Sequence, residues 1–255
     1  TPVGRAQHRR FLVSPGALRD AEVTFNPAQA RQLAAVLRLR AGDPVAVFDG
    51  AGRQWTARLT LVTPRRATAR LLDEEAPDPP VRLRLTLAQV VPRGAAMDLI
   101  VAKATELGVA RIIPLEAAHS VRRGTPPGQR ARWRRIIAEA TEQCGRRIAP
   151  ELTEACSLGD LLLRHPDDDP LVACDRGAGS LPLAELCPAL ATASAATVVA
   201  GGEGGLSAEE VERVRGRGGR LVSLGPRLLR AETAAEAALA VLQACAGDWA
   251  EPDTA

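Results

Sequence analysis

Residues 197–211 read TVVAGGEGGLSAEEV. An apolar run, Thr197 to Ala200, enters four glycines set around one carboxylate, Glu203, and a helix signal follows. Glycine loses more conformational freedom on folding than any other residue, so four of them in five positions need a backbone reason. Strand, glycine turn and capped helix is the layout of a ligand site at the carboxyl edge of an α/β sheet. The dinucleotide fingerprint is not met, because Ser207 stands where the third glycine of G-x-G-x-x-G belongs. No G-K-S/T follows, and a carboxylate in the turn disfavours a polyphosphate. It suits a cationic or hydroxyl-bearing ligand. Taken alone, the glycines read more simply as a flexible turn with Glu203 in water.

A second segment repeats the arrangement. LVSLGPRLLRAETAAEAAL, residues 221–239, gives a strand, Gly225-Pro226, and a helix start near Arg230, Glu232 and Thr233. Leu228 and Leu229 are apolar in a loop, and loops ordinarily run over the surface. They predict a buried loop that grips an uncharged ring; the plainer alternative has them plugging the core while Arg230 pairs with Glu232. In KATELGV, 103–109, Lys103 and Glu106 share a helix face, ordinarily a surface ion pair of little worth. In RARWRRIIAEATEQCGRR, 130–147, the polar side carries Arg130, Arg134, Glu142, Gln143 and Arg146. That side is a solvated face by default and an RNA-facing one on the sharper reading.

Around these segments the chain alternates strand and helix signals from about residue 81. Strands fall at 83–91, 111–115, 171–174, 197–200 and 220–224. Helices fall at 97–107 and 133–144, closed by Gly108 and Gly145. Two S/T-x-x-E capping boxes, Ser207–Glu210 and Thr233–Glu236, open the last two helices. The pattern implies a mainly parallel α/β sheet with helices on both faces. Residues 1–72 differ: a strand at 9–13, a helix at 27–37, a hairpin over 43–62 and a further strand near 67–71 make a small β-barrel. DEEAPDPP, 73–80, reads as a linker, and 81–250 as the second domain.

The net charge of +3 hides a split. Residues 1–150 hold 25 of the 33 Lys/Arg side chains and 13 of the 30 carboxylates. A basic front half is a candidate phosphate-binding surface, or simply the habit of a chain whose one lysine is Lys103. The absence of Tyr and the 2% aromatic content argue against a stacking platform of the RRM type, so RNA binding would rest on arginine, backbone and shape. Five cysteines without a C-x-x-C argue against zinc and disulfides and for buried free thiols. No apolar stretch approaches the ~20 residues of a membrane span. The first residues lack an apolar signal core, which points to a cytoplasmic protein.

KATELGV, ATEQCGR, GGEGGLSAEE and LGPRLLRAETA, in this order, resemble the 16S ribosomal RNA uracil-N3 methyltransferases, of the SPOUT class of S-adenosylmethionine enzymes. RRF (9–11), VLRLRAGDPVAVFDG (36–50) and Trp55 resemble that family's PUA-like RNA-binding barrel. The likeness runs from about residue 9 to about 245. One position departs: the family's turn reads G-P-E-G-G, and Gly202 replaces the proline. The resemblance implies a C-terminal trefoil knot, glycines that let interlocked loops approach, and a two-fold homodimer. It implies S-adenosylmethionine bound by Ala173, Gly201, Gly202, Glu203, Gly204, Gly205, Ser223, Leu224, Gly225, Leu228 and Leu229. Arg230 and Glu232 are the catalytic candidates. Arg9, Arg10, Arg38, Arg40, Lys103, Arg122, Arg123 and Arg146 are candidates for contact with 16S ribosomal RNA or the small ribosomal subunit. Neither a metal nor a membrane is implied. A SPOUT enzyme for a ribose 2′-O or a tRNA base, and a non-catalytic ribosome-assembly factor, are the alternatives; a nicotinamide dehydrogenase fits the glycine spacing poorly.

Overall fold

A computed structural model of the protein describes residues 9–116 and 126–250. They divide into two compact units. One takes the chain up to Pro79 together with Thr141–Ala149, and the other takes Pro80–Ala140 and the chain from Pro150 onward.

The first unit contains β1 (Arg10–Leu12), β2 (Leu18–Arg19), β3 (Glu22–Thr24), α1 (Pro27–Arg31), β4 (Pro44–Phe48), β5 (Gln54–Val62) and β6 (Ala67–Glu74). Its sheet runs β1-β4-β5-β6-β3-β2, antiparallel except for the β1–β4 pair. Period-two alternation sends Ala57, Leu59, Ala67 and Ala69 inward, against Phe11, Phe25, Leu33, Val45 and Val47. Each buried Leu, Val or Phe contributes about 1.5–3 kcal/mol relative to exposure. The Asn26 side chain and Gln29 form a reciprocal capping box that starts α1. The helix then widens into a π turn over Gln32–Val36, so the expected helix at 27–37 exists but is not uniform. The hairpin joining β2 and β3 turns on Asp20 (φ 47) and Ala21 (φ 62). That twist normally selects Asn-Gly or Asp-Gly, so Asp-Ala gave no readable signal.

The segment 73–80 is less linker-like than its composition. Asp73 and Glu74 close β6, and Glu75 and Asp78 hold Arg147. Arg147 is 4% exposed, 2.7 Å from Glu75 Oε2 and 3.2 Å from Asp78 Oδ1, and it also donates to the Ala76 carbonyl.

The second unit contains β7 (Arg84–Val90), α2 (Ala96–Glu106), β8 (Arg111–Leu115), most of α3 (Pro127–Cys144), β9 (Glu151–Leu152), α4 (Leu158–Arg164), β10 (Leu171–Cys174), β11 (Leu181–Pro182), α5 (Cys187–Leu190), β12 (Ala195–Ala200), α6 (Ala208–Gly216), β13 (Arg220–Ser223) and α7 (Ala231–Ala246). All seven strands are parallel, in the order β11-β13-β10-β12-β7-β8-β9. Continuous apolar strands such as Val198-Val199-Ala200 are buried, as a sheet covered on both faces requires. Gly108 and Gly145 sit at φ 83 and 91 beyond their helices, where a side chain would be strained. The Ser207–Glu210 box forms. The Thr233–Glu236 box does not, because α7 already begins at Ala231 with Arg230 as its N-cap.

The cysteine expectation fails at one pair. Cys187 and Cys245 are joined by a disulfide between α5 and α7, 58 residues apart in sequence. Spacing rules see local pairs, and this one is created by helix packing. Cys144, Cys156 and Cys174 are free, and half-buried rather than fully buried. No helix among the described residues is long and apolar enough to cross a membrane. No group of three His, Cys, Asp or Glu among them is placed to hold a metal.

Replacing Arg147 by Ala is expected to lower unfolding free energy by about 3 kcal/mol. That is the low end for breaking a buried ion pair, because Glu75 and Asp78 keep contact with water. Denaturant titration checks the loss.

Candidate active site

A parallel sheet delivers the carboxyl ends of its strands to one edge, so the loops after adjacent strands converge there. Here β13, β10 and β12 are neighbours, and the loops that leave them enclose a cavity of about 280 Å³. Gly201–Leu206 form one wall. Leu224, Gly225 and Arg227–Leu229 form the second, and Cys174, Asp175 and Arg176 the third. Ala231 and Ala234, three apart on the first turn of α7, close it. The positive end of that helix therefore borders the cavity.

The glycines meet different demands. A Cβ on Gly201 would lie 2.6 Å from the Gly205 carbonyl carbon and 2.8 Å from its Cα, distances that backbone cannot yield. Gly205 has φ 72 and donates its N–H to the Gly202 carbonyl at 3.1 Å, closing the turn. Gly225 has φ 98. A Cβ on Gly202 would make ordinary contact with Val90 at 3.5 Å, and Gly204 is open. Close backbone approach thus explains Gly201 alone, and left-handed conformation explains Gly205 and Gly225.

Two further contacts fix the turn. Glu203 Oε1 accepts the backbone N–H of Arg93 at 2.7 Å, so this carboxylate is tied to the chain beyond β7. Gln89, fully buried in β7, donates Nε2 to the Gly201 and Val90 carbonyls at 2.9 Å each. On the opposite wall the Gly225 N–H donates to Ser223 Oγ at 3.2 Å. Arg176 reaches the Pro226 carbonyl, also at 3.2 Å, and so links the second and third walls. The Asp175 carboxylate accepts from Gly177 N at 2.8 Å, shaping its own turn. Burial pushes the Cys174 thiol up to about 12, so it stays protonated and is no nucleophile at neutral pH.

Of the eleven residues expected at the cofactor, nine line this cavity. Ala173 does not: it is fully buried one residue behind Cys174, paired with Val199 and Leu221. Ser223 supports Gly225 from outside the lining. The expected buried loop is not found at Leu228, which is 81% exposed, while Leu229 is half-buried. Neither leucine plugs the core, and Arg230 and Glu232 form no ion pair. Arg230 is exposed at the N-cap of α7 and Glu232 half-buried in its first turn, both beside the lining rather than in it. Asp175 and Arg176 join the wall with no motif to announce them, and Leu206 and Arg227 join it from inside the quoted GGEGGLSAEE and LGPRLLRAETA stretches without being among the expected residues. The signal available was positional: each follows a strand at one sheet edge.

The arginines expected at RNA are scattered. Arg9, Arg38 and Arg40 are exposed in the first unit. Arg10 is used internally: it lies 4.8 Å over the Phe48 ring and donates to Gln54 Oε1 at 3.1 Å and to the Arg146 carbonyl at 2.8 Å. Burial, ahead of neighbouring charges, lowers its pKa. Arg146 is half-buried. Lys103 is paired with Glu106 at 2.8 Å, the ordinary surface pair. Arg122 and Arg123 lie outside the described residues.

Comparison with known proteins places this geometry. Residues 79–243 match an RNA methyltransferase domain family, and residues 25–72 match an RNA methyltransferase PUA domain. A ribosomal RNA small subunit methyltransferase E from Synechocystis sp. is 32% identical over 92% of this chain and 77% of its own. The Bacillus subtilis protein of the same name is 29% identical over 81% and 84%. A crystal structure of a ribosomal RNA small subunit methyltransferase E from Neisseria gonorrhoeae bound to S-adenosyl methionine superposes with a TM-score of 0.84 at 31% identity. That match covers 95% of this chain and 99% of the other. A parallel sheet whose glycine turn and Gly-Pro-Arg-Leu-Leu loop face one cavity, joined in one chain to a PUA-type sheet, therefore belongs to the ribosomal RNA small subunit methyltransferase E family of RNA methyltransferases.

Proposed function

We propose that the protein transfers a methyl group from S-adenosylmethionine to N3 of a uridine in 16S ribosomal RNA. The cavity behind the glycine turn carries this reading. Its residues fit the cofactor. Gly201 and Gly205 leave backbone at the surface, Leu206, Leu224 and Leu229 offer apolar contact to a ring, and Asp175 and Glu203 bring negative charge to a cationic ligand. Its volume lies near the lower end of the ~300–1,000 Å³ common for small-molecule sites. Bound S-adenosylmethionine supplies an electrophilic methyl on a sulfonium.

The chain's own residues do the rest. N3 of neutral uridine holds a proton and is a poor nucleophile, so transfer needs a base or stabilisation of the uracil anion. Arg230, exposed where α7 starts beside the cavity, donates to a uracil carbonyl oxygen as negative charge grows there. Glu232, one turn edge away, takes the N3 proton. The helix N-terminus adds favourable potential for the same charge. The target base leaves its stack, or is already unpaired, to reach this edge. Glu203 keeps its role within the protein, holding the glycine turn to Arg93. The reading includes a two-fold homodimer with a trefoil-knotted sheet domain, both supported by the family resemblance.

Arg230→Ala is expected to leave S-adenosylmethionine affinity near normal and to slow methyl transfer by about 10²–10³-fold. Calorimetry and a single-turnover methylation assay separate the two, and equal loss in both would remove Arg230 from the chemistry. Gly201→Ala is expected to overpack the turn, costing about 1–3 kcal/mol of stability and weakening cofactor binding at least tenfold. Gly202→Ala is expected to bind normally and gain roughly 0.4–1 kcal/mol through the unfolded chain. Mapping the methylated base by mass spectrometry, in ribosomal RNA from cells with and without the gene, tests the uridine assignment.

A further inference from the structure

Strand register in the first unit sets a row of charges on the outer face of its sheet. Arg19 stands opposite Glu22, Glu22 opposite Arg70, and Arg70 opposite Arg58. All four are exposed. Arg58 and Arg70 are thus like charges directly across from each other, an arrangement that works against stability. Among the described residues neither has a carboxylate at ion-pair distance. Arg58 donates Nη1 to the Gly42 carbonyl at 2.9 Å, and among the same residues no hydrogen bond holds the Arg70 side chain. The next row is hydroxyl-bearing: Thr24 faces Thr68, and Thr60 Oγ1 lies 2.7 Å from Thr68 Oγ1. Beyond it the turn between β5 and β6 exposes Arg65 and Arg66.

Such a surface pulls in one direction. The repulsion between Arg58 and Arg70 is relieved when an anion lies between them, and hydroxyls beside guanidinium groups are the side chains that bind phosphate oxygens. Among the described residues no aromatic ring is on this face: Phe11, Phe25, Phe48 and Trp55 are buried within the unit, and Trp133 and Trp249 belong to the other. Stacking on bases is therefore absent, and with it the usual means of reading single-stranded sequence. We infer that this outer face, centred on Arg58 and Arg70, docks the sugar-phosphate backbone of helical RNA without reading its sequence. That the polyanion is RNA rests on the proposed function; the anion-seeking face does not.

The test uses the full chain and a mixed-sequence RNA duplex, with fluorescence anisotropy read across a range of potassium chloride concentrations. Arg58→Gln/Arg70→Gln is expected to flatten the log–log salt slope by roughly 2, at about 0.9 for each phosphate no longer neutralised. Affinity should fall about tenfold or more, equally for a duplex of scrambled sequence. The melting temperature should stay level or rise, since a repulsive pair is removed, and Arg220→Gln, an exposed arginine of the other unit, should change nothing. An unchanged slope in the folded double variant overturns the inference. So does a loss confined to one sequence, or duplex RNA that does not bind the parent protein while an acidic protein does. Calorimetry with S-adenosylmethionine keeps the two readings apart. Duplex binding with this salt response but no cofactor binding would sink the methyl-transfer reading and leave the docking face standing.

Discussion

The approach of Gly201 to the backbone of Gly205 is the constraint on which the site depends. With no Cβ between them, the chain leaves β12 and folds back within one turn, so peptide groups rather than side chains form the wall. Gln89 holds one end of that turn by a carbonyl and Glu203 the other by a backbone N–H. Both anchors lead back to β7 and the segment after it, which ties the loop to the centre of a seven-stranded sheet. A loop anchored in this way is pre-shaped, so a ligand entering it spends little of its binding energy on ordering the protein.

Much of this was legible in residues, and the illegible parts share a cause. Apolar runs and glycine stops located β7, β8, β10, β12 and β13 and the ends of α2 and α3, because each is a local signal. The short β2, β9 and β11 left none, being two residues long and made by their partners. The start of α7 was misplaced by three residues, since Thr233 and Glu236 satisfy a capping pattern that the helix, with Arg230 as its N-cap, simply runs through. In the site, Gly201 to Gly205, Leu224, Gly225, Leu228 and Leu229 could be read only through the family resemblance, since unusual glycines and loop leucines alone fit a plain turn or a core plug equally well. Asp175 and Arg176 could not, since an acidic and a basic residue after a strand look like any loop. The Cys187–Cys245 link is a product of tertiary packing, to which spacing is blind.

The basic surplus of the front half divides into two kinds of arginine. Arg10 and Arg147 are consumed inside the first unit, on a ring face, on carbonyls and on carboxylates. Arg53 lies over Trp55 and pairs with Glu74, which keeps that indole from acting as a base platform. A count of charge cannot tell these from Arg58 and Arg70, which stand opposite each other on the exposed face with no carboxylate at ion-pair distance among the described residues. Register makes the distinction: it decides which cation faces a partner and which faces its like.

Thr141–Ala149 complete the first unit although about sixty residues of the second precede them. Glu142 takes the Leu12 N–H and the Gln29 amide, and Arg147 gathers Glu75 and Asp78. During synthesis at ~5–20 residues per second, the β-rich unit therefore waits several seconds, fully emerged yet missing its last piece. Its maturation is coupled in time to the birth of its neighbour, and the chain's order of assembly is not its order of translation.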